Sequence, residues 1–312
     1  SMFPGTPVFM TFGNDDAYRG DYDLERNGAF LHDMAPMCQA ALGSSVDTAG
    51  FSNFAELGCY VAAVPNIGRR VLSVSNVFWS SSRYANENPP TGDKIITWLK
   101  DQLDTAAKAK EPVWLLMHIP PGGSCYVDRS HHARHTHNWQ PSYQAAFEQL
   151  LASTDADIEI MFSGHTHMDD FRFITYPNHG HNKTLMTKIV PGVSPKFGQH
   201  SGYQVYTMSD STISDWTTHY YDTGSWKTYS TVADYGSAKP DELLKAFRAM
   251  QTHPTTSGHY CHDYTVRRHP LSSSHVEDFL TEVLHMAPPP RIEYPSDAVS
   301  IEAAMELDPI AD

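Results

Sequence analysis

The chain has 312 residues, 40% of them hydrophobic and 12% aromatic, which excludes a disordered chain and allows one large core or two modest ones. A formal net charge of -14 argues against nucleic acid or an anionic membrane as the main partner, because both reward clustered Lys and Arg. No apolar run reaches membrane-spanning length, so no integral membrane segment is expected.

Pro7-Val8-Phe9-Met10-Thr11-Phe12 reads as a short apolar strand that runs into Gly13-Asn14-Asp15-Asp16. A polar and aromatic loop follows, through Tyr18, Asp21 and Tyr22. Phe30, Leu31, Met34 and Met37 form a partial apolar stripe that predicts a helix over 27–42, kinked or split by Pro36. Residues 58–64 and 70–77 read as strands joined through Pro65-Asn66. A helix over 93–108 buries Ile96, Leu99 and Leu103. Val113-Trp114-Leu115-Leu116-Met117 is a buried strand that ends at His118. After a loop containing His131, His132, His135 and His137, a helix over 141–152 turns Ala146, Phe147, Leu150 and Leu151 inward. The buried strand Ile158-Glu159-Ile160-Met161 then leads into Gly164-His165-Thr166-His167. Strands and helices therefore alternate over 70–165, which is α/β organisation around a mainly parallel or mixed sheet. Segments 188–190, 203–207 and 216–221 read as further strands, the last two an antiparallel pair turned around Ser209-Asp210. Helices over 240–250 and 274–286 follow, and a proline-rich acidic stretch begins at Pro288.

Active sites of open α/β sheets lie beyond the strand C-termini. Asn14, His118, His165 and His167 each sit just past a predicted strand. Imidazole is a ligand for zinc and similar transition metals. In an extended chain His165 and His167 would point the same way, and Gly164 permits a turn or a close approach. A turn asparagine or a single histidine after a strand is usually structural. Their coincidence at the ends of three strands reads as a metal site.

Gly13-Asn14-Asp15-Asp16, Met117-His118-Ile119-Pro120-Pro121-Gly122 and Gly164-His165-Thr166-His167 resemble, in order and spacing, the last three motifs of the calcineurin-like metallophosphoesterases. H-I-P-P-G, the F-x-G-H-T-H-x-D-x-F pattern from Phe162 to Phe171, and Val193-Ser194-Pro195 leading to Gly202-Tyr203-Gln204-Val205-Tyr206 resemble the acid sphingomyelinase-like phosphodiesterase branch. The resemblance implies a four-layer α-β-β-α sandwich, with a phosphoesterase domain over 1–225, a helical subdomain over 226–290 and an extended tail over 291–312. It implies two divalent metal ions (zinc, manganese or iron) bridged by an aspartate. Asn14, His118 and His165 would serve one metal and His167 the other. Two metals about 3.5–4 Å apart clamp a phosphate and lower the pKa of bound water to about 7. The implied function is hydrolysis of a P–O bond in a small phosphoester, a phospholipid head group or a nucleotide, in a secreted or lysosome- or periplasm-like setting.

Two departures qualify the resemblance. The family's upstream D-x-H and G-D motifs, which supply the bridging aspartate, are not found, so the chain reads as a phosphoesterase domain without its first β-α-β portion. The histidine of the family's G-N-H motif is Asp15 here, a general acid only with a raised pKa and otherwise a turn residue. Together they motivate the alternative of a degenerate, inactive phosphoesterase used as a binding or effector module. Other features have structural explanations beside functional ones. Trp79, Trp114 and Trp139 line a pocket or pack the core; Asp169-Asp170 orients a ligand histidine or forms a solvated turn. His259, Cys261, His262 and Asp263 have poor metal spacing. Cys38 and Cys59 form a disulfide or, with Cys125 and Cys261, are ordinary thiols.

Overall fold

In the computed structural model, which describes residues 5–83, 90–123, 137–178, 180–250 and 254–270, the predicted alternation builds a six-stranded mixed sheet. Its strands are β1 (Tyr60–Val64), β2 (Arg69–Val74), β3 (Val113–Met117), β4 (Ile158–Ser163), β5 (Asp170–Asn178) and β6 (His181–Ile189). They lie in the order β1-β2-β3-β4-β6-β5. The inner strands β2, β3, β4 and β6 run parallel, and the two edge strands are antiparallel to their neighbours. Parallel neighbours require crossovers. These are α4 (Thr91–Ala109), between β2 and β3, and α5 (Pro141–Ser153), between β3 and β4. Leu72, Leu115 and Met161 stand in register on the face these helices cover, in one core with Leu99, Leu103, Phe147 and Leu151. The two crossovers stack β2, β3 and β4 so that the chain leaves β3 and β4 side by side at one end of the sheet, where His118 and the 164–167 loop lie.

On the opposite face Ile160, Phe171, Phe173 and Met186 share a second core with Trp216, Phe247 and Tyr260. These last three come from a separate antiparallel sheet and the helices after it. The sheet comprises β7 (Gly202–Ser209), β8 (Thr212–Asp222) and β9 (Ser225–Ser230). The helices are α6 (Thr231–Tyr235), α7 (Pro240–Arg248) and α8 (Pro254–Asp263). The observed layering is thus helices, a six-stranded sheet, and a mixed layer of three strands with helices.

Several expectations change. The apolar segment 7–12 pairs with no strand among the described residues. Its Met10 backbone instead donates its N–H to the Tyr60 hydroxyl and accepts from Tyr60 and Ser73 through its carbonyl. Helix α1 (Ala29–Leu42) runs through Pro36 undivided, and its buried stripe is Leu31, Cys38 and Leu42. Met37 is 63% exposed. Helix α4 buries Ile95 and Trp98 beside Leu99 and Leu103, leaving Ile96 half-buried, and Tyr143 takes the inward place expected of Ala146 in α5. The 70–77 strand ends at Val74 and gives way to a short 3-10 turn, Asn76–Trp79. Strands β5 and β9, the short helices α2 (Thr48–Phe51) and α3 (Phe54–Leu57), and helices α6 and α8 are additions. Trp79 and Trp139 are fully buried core residues in edge-to-face contact, and the Trp114 indole N–H donates to Glu159 at 2.8 Å. Cys38 and Cys59 are buried, unbridged thiols. The predicted 274–286 helix, the stretch from Pro288, the 291–312 tail, Cys125, His131, His132 and His135 lie outside the described residues.

Candidate metal centre

His118 directly follows β3, and its backbone carbonyl accepts the Gly164 N–H at 2.9 Å, so the ends of β3 and β4 are tied together at the base of the site. Gly13 lies against the His118 ring. A Cβ at residue 13 would stand 2.7 Å from the imidazole, a distance that side chains do not adopt, so the G-N-D turn reaches the ring only because residue 13 is glycine. That approach delivers Asn14. Its amide Nδ2 donates to the Asp21 carboxylate at 2.7 Å. A carboxylate only accepts, so the amide is oriented with Oδ1 towards the histidines.

The Asn14 Oδ1 lies 2.9 Å from His118 Nε2 and 2.9 Å from His165 Nδ1, and those two nitrogens are 3.3 Å apart. Three donor atoms at the corners of such a triangle match the spacing of ligands on one metal. Bonds of about 2.1 Å at tetrahedral angles set ligand atoms about 3.4 Å apart, and octahedral angles set them about 3.0 Å apart. Burial lowers the pKa of His118 from 6.5 to about 4, with the His167 charge adding to it. Burial lowers His165 to about 3, helped by His118 and His167 and opposed by Asp15. Both rings are therefore neutral near pH 7, the form in which imidazole offers a lone pair. The residues present fit a divalent cation on this triangle. Among the described residues no three His, Cys, Asp or Glu side chains converge to hold a metal, so Asn14 is what makes the third donor.

His165 and His167 do not lie in an extended chain. Their φ angles are 71° and 64°, both left-handed. Non-glycine residues held there carry strain of about 1–3 kcal/mol each, and such strain concentrates at functional sites. The turn separates the two side chains. His165 joins the triangle, whereas His167 packs its ring against Phe197 at 4.8 Å and sets Nδ1 3.2 Å from the Ser194 carbonyl. A carbonyl cannot donate, so Nδ1 carries the proton and the Nε2 lone pair of a neutral His167 is left for a ligand. Gly192 permits this seat: a Cβ there would meet the His167 ring at 2.8 Å. Among the four predicted ligands, then, Asn14, His118 and His165 come together and His167 stands beside them within electrostatic reach. Asp15 is exposed in the turn, with its backbone carbonyl accepting from Ala17 at 3.1 Å.

Some contributors were not anticipated. Asp21 fixes the Asn14 amide. Tyr22, with φ 58°, donates its backbone N–H to the Asn14 carbonyl at 2.8 Å and brings its hydroxyl to 3.5 Å from His165 Nε2. Burial, and after it the Asp21 charge, pushes the Tyr22 pKa up to about 12, so it is a neutral phenol. Their signal in the sequence was position alone, in the polar and aromatic loop after Asn14.

Asp169 and Asp170 are not a solvated turn; both are buried. Asp169 accepts from Lys188, Gln204, Thr218 and Tyr229, one from each of β6, β7, β8 and β9. Asp170 pairs with Arg172 at 2.5 Å and accepts from the Tyr260 hydroxyl at 2.8 Å. The loop carrying His165 and His167 is thereby anchored to both sheets. In α8, His259 turns to Asp234 at 3.1 Å, and the buried Asp263 bonds to Tyr235 and Arg267, so the 259–263 cluster does not converge.

No family model matches the chain. Similar proteins include sphingomyelinase phosphodiesterase C of Dictyostelium discoideum, 29% identical over 205 residues, covering 63% of this chain and 42% of the relative. Sphingomyelinase phosphodiesterase D of the same organism is 24% identical over 227 residues, covering 70% and 48%. The human acid sphingomyelinase-like phosphodiesterase 3b is 24% identical over 198 residues, covering 62% and 40%. The chain thus spans less than half the length of each of these curated relatives.

Proposed function

We propose that the chain carries the metal-binding part of a metal-dependent phosphodiesterase of calcineurin-like, four-layer type, acting on a phospholipid-type phosphodiester in a secreted or lysosomal setting. One observation carries this reading: the Asn14, His118 and His165 donor atoms meet within 3.3 Å around two neutral imidazoles. The names of the similar proteins support the substrate class. Asn14, His118 and His165 would hold one divalent ion (zinc, manganese or iron), and His167, through Nε2, a second. Such ions supply Lewis acidity to a phosphoryl oxygen and to water. The chain's own residues keep the ligands neutral by burial, aim the asparagine oxygen through Asp21, and cover His165 with the Tyr22 phenol. By resemblance to the family's G-N-H motif, Asp15 would take the role of general acid, which requires a raised pKa.

A second reading, a degenerate module that binds without turnover, is favoured by one feature: the Asn14 oxygen and the two imidazoles also satisfy each other by hydrogen bonds. Hydrolysis of bis-p-nitrophenyl phosphate separates the two readings. The enzyme reading expects hydrolysis that a chelator abolishes and added zinc or manganese restores. It expects His118→Ala to lose at least about tenfold, the lower end for a removed ligand support. Stoichiometric metal binding without turnover supports the module, and full activity in His118→Ala rejects the site.

A further inference from the structure

The three-stranded sheet has two unlike faces. Trp216, Thr218, Tyr220 and Tyr229 are buried on the inner one. On the outer one Tyr203 is 45% exposed, Val205 48%, Tyr221 47% and Trp226 54%, four of the nine large apolar side chains that the described residues leave exposed. They form one surface. Tyr203 stacks on His219 at 4.9 Å and meets Trp226 edge-on at 5.3 Å, and Trp226 meets Tyr221 at 5.6 Å. Strand pairing sets Tyr203 opposite His219 and Tyr221 opposite Trp226. The remaining outward positions are Thr207, Thr217, Thr228, Ser230 and Asp215, whose carboxylate accepts from the Ser230 hydroxyl and the Val232 N–H. At the edge of the face Lys227 pairs with Asp222 at 2.6 Å.

This face adjoins the candidate centre. Gly202, at the start of β7, donates its N–H to the Gly192 carbonyl at 3.1 Å, and Gly192 donates to the His167 carbonyl at 2.9 Å. Val193, next in the chain, is 74% exposed.

We propose that the outer face of β7, β8 and β9 is a docking surface for the head-group layer of a zwitterionic, choline-bearing bilayer. Tyr and Trp favour the water–lipid boundary, where an apolar ring and a polar tip are both accommodated. The faces of their rings attract quaternary ammonium groups. A net charge of -14 disfavours an anionic bilayer, and a face whose outward positions include the acid Asp215 and no Lys or Arg suits an electrically neutral one better. The choice of a lipid surface rests on the phosphodiesterase reading above, and the experiment separates the two.

The whole protein is sedimented with vesicles of phosphatidylcholine and sphingomyelin, and with vesicles of phosphatidylserine, beside a variant carrying Tyr203→Thr, Tyr221→Thr and Trp226→Thr. Wild type is expected to bind the zwitterionic vesicles in preference to the anionic ones. The variant is expected to lose binding at least tenfold with unchanged hydrolysis of bis-p-nitrophenyl phosphate. Trp226→Thr alone gives a smaller loss and serves if the triple variant fails to fold. Vesicle binding without hydrolysis keeps the surface and removes the enzyme reading. Hydrolysis of the soluble ester without vesicle binding, or equal binding by the variants, overturns the surface. A dimer in sedimentation velocity that the substitutions dissolve, without vesicle binding, assigns the face to a second copy and also overturns it.

Discussion

Asp21 holds the Asn14 amide from seven positions away, and the direction of the Asn14 oxygen depends on it. Asp21→Ala frees that amide to turn, and the expected result is metal affinity weaker by about 10–100-fold, read by titration calorimetry. Gly13→Ala places a methyl group 2.7 Å from the His118 ring. The ring must then leave the triangle, and metal-dependent hydrolysis should fall by at least about tenfold, as for loss of a ligand support. The histidines also set a pH dependence for the metal-free protein. His118 and His165 titrate near 4 and 3 in the folded chain and from 6.5 when ordinary. Between those values the unfolded chain binds more protons, so stability rises with pH. The metal-free fold should be fully supported above about pH 6.5 and lose stability as pH falls towards about 4. Urea unfolding across that range measures it, and His165→Asn should flatten the slope.

At the scale of the elements, the Asp169–Lys188 pair joins the histidine loop to β6 with both side chains buried. Asp169→Ala leaves the buried Lys188 ammonium without its carboxylate, holding only the Asp170 and Ile189 carbonyls, and is expected to cost about 3–5 kcal/mol in urea unfolding. The strands that carry the centre were legible because β3 and β4 are short apolar runs between helical stripes. The site residues were legible because they sit where those runs stop. What failed depends on tertiary contacts that period and propensity do not encode. Segment 7–12 has the apolar pattern of a strand, yet Tyr60 and Ser73 side chains take the Met10 backbone groups that a neighbouring strand would use. Strand β5 opens on Asp170, which reads as part of a solvated turn, yet it is buried with its charge met by Arg172. The expected alternation of His165 and His167 gave way to two left-handed residues, a conformation that no side-chain pattern announces.

Across the whole molecule, the helix-covered sheet fixes His118 and the 164–167 loop at one end, while the β7–β9 layer buttresses that loop from the other face. Similarity to sphingomyelin phosphodiesterases agrees with the branch to which the motifs pointed, while Asp21, Tyr22 and Gly192 emerge only from the folded chain. The account stands on a cation at the Asn14–His118–His165 triangle. Anomalous diffraction at the zinc edge from crystals soaked in zinc tests this most directly. The predicted result is a peak about 2.1 Å from Asn14 Oδ1, His118 Nε2 and His165 Nδ1. A map with no peak there, or with zinc only at other histidines, would contradict it.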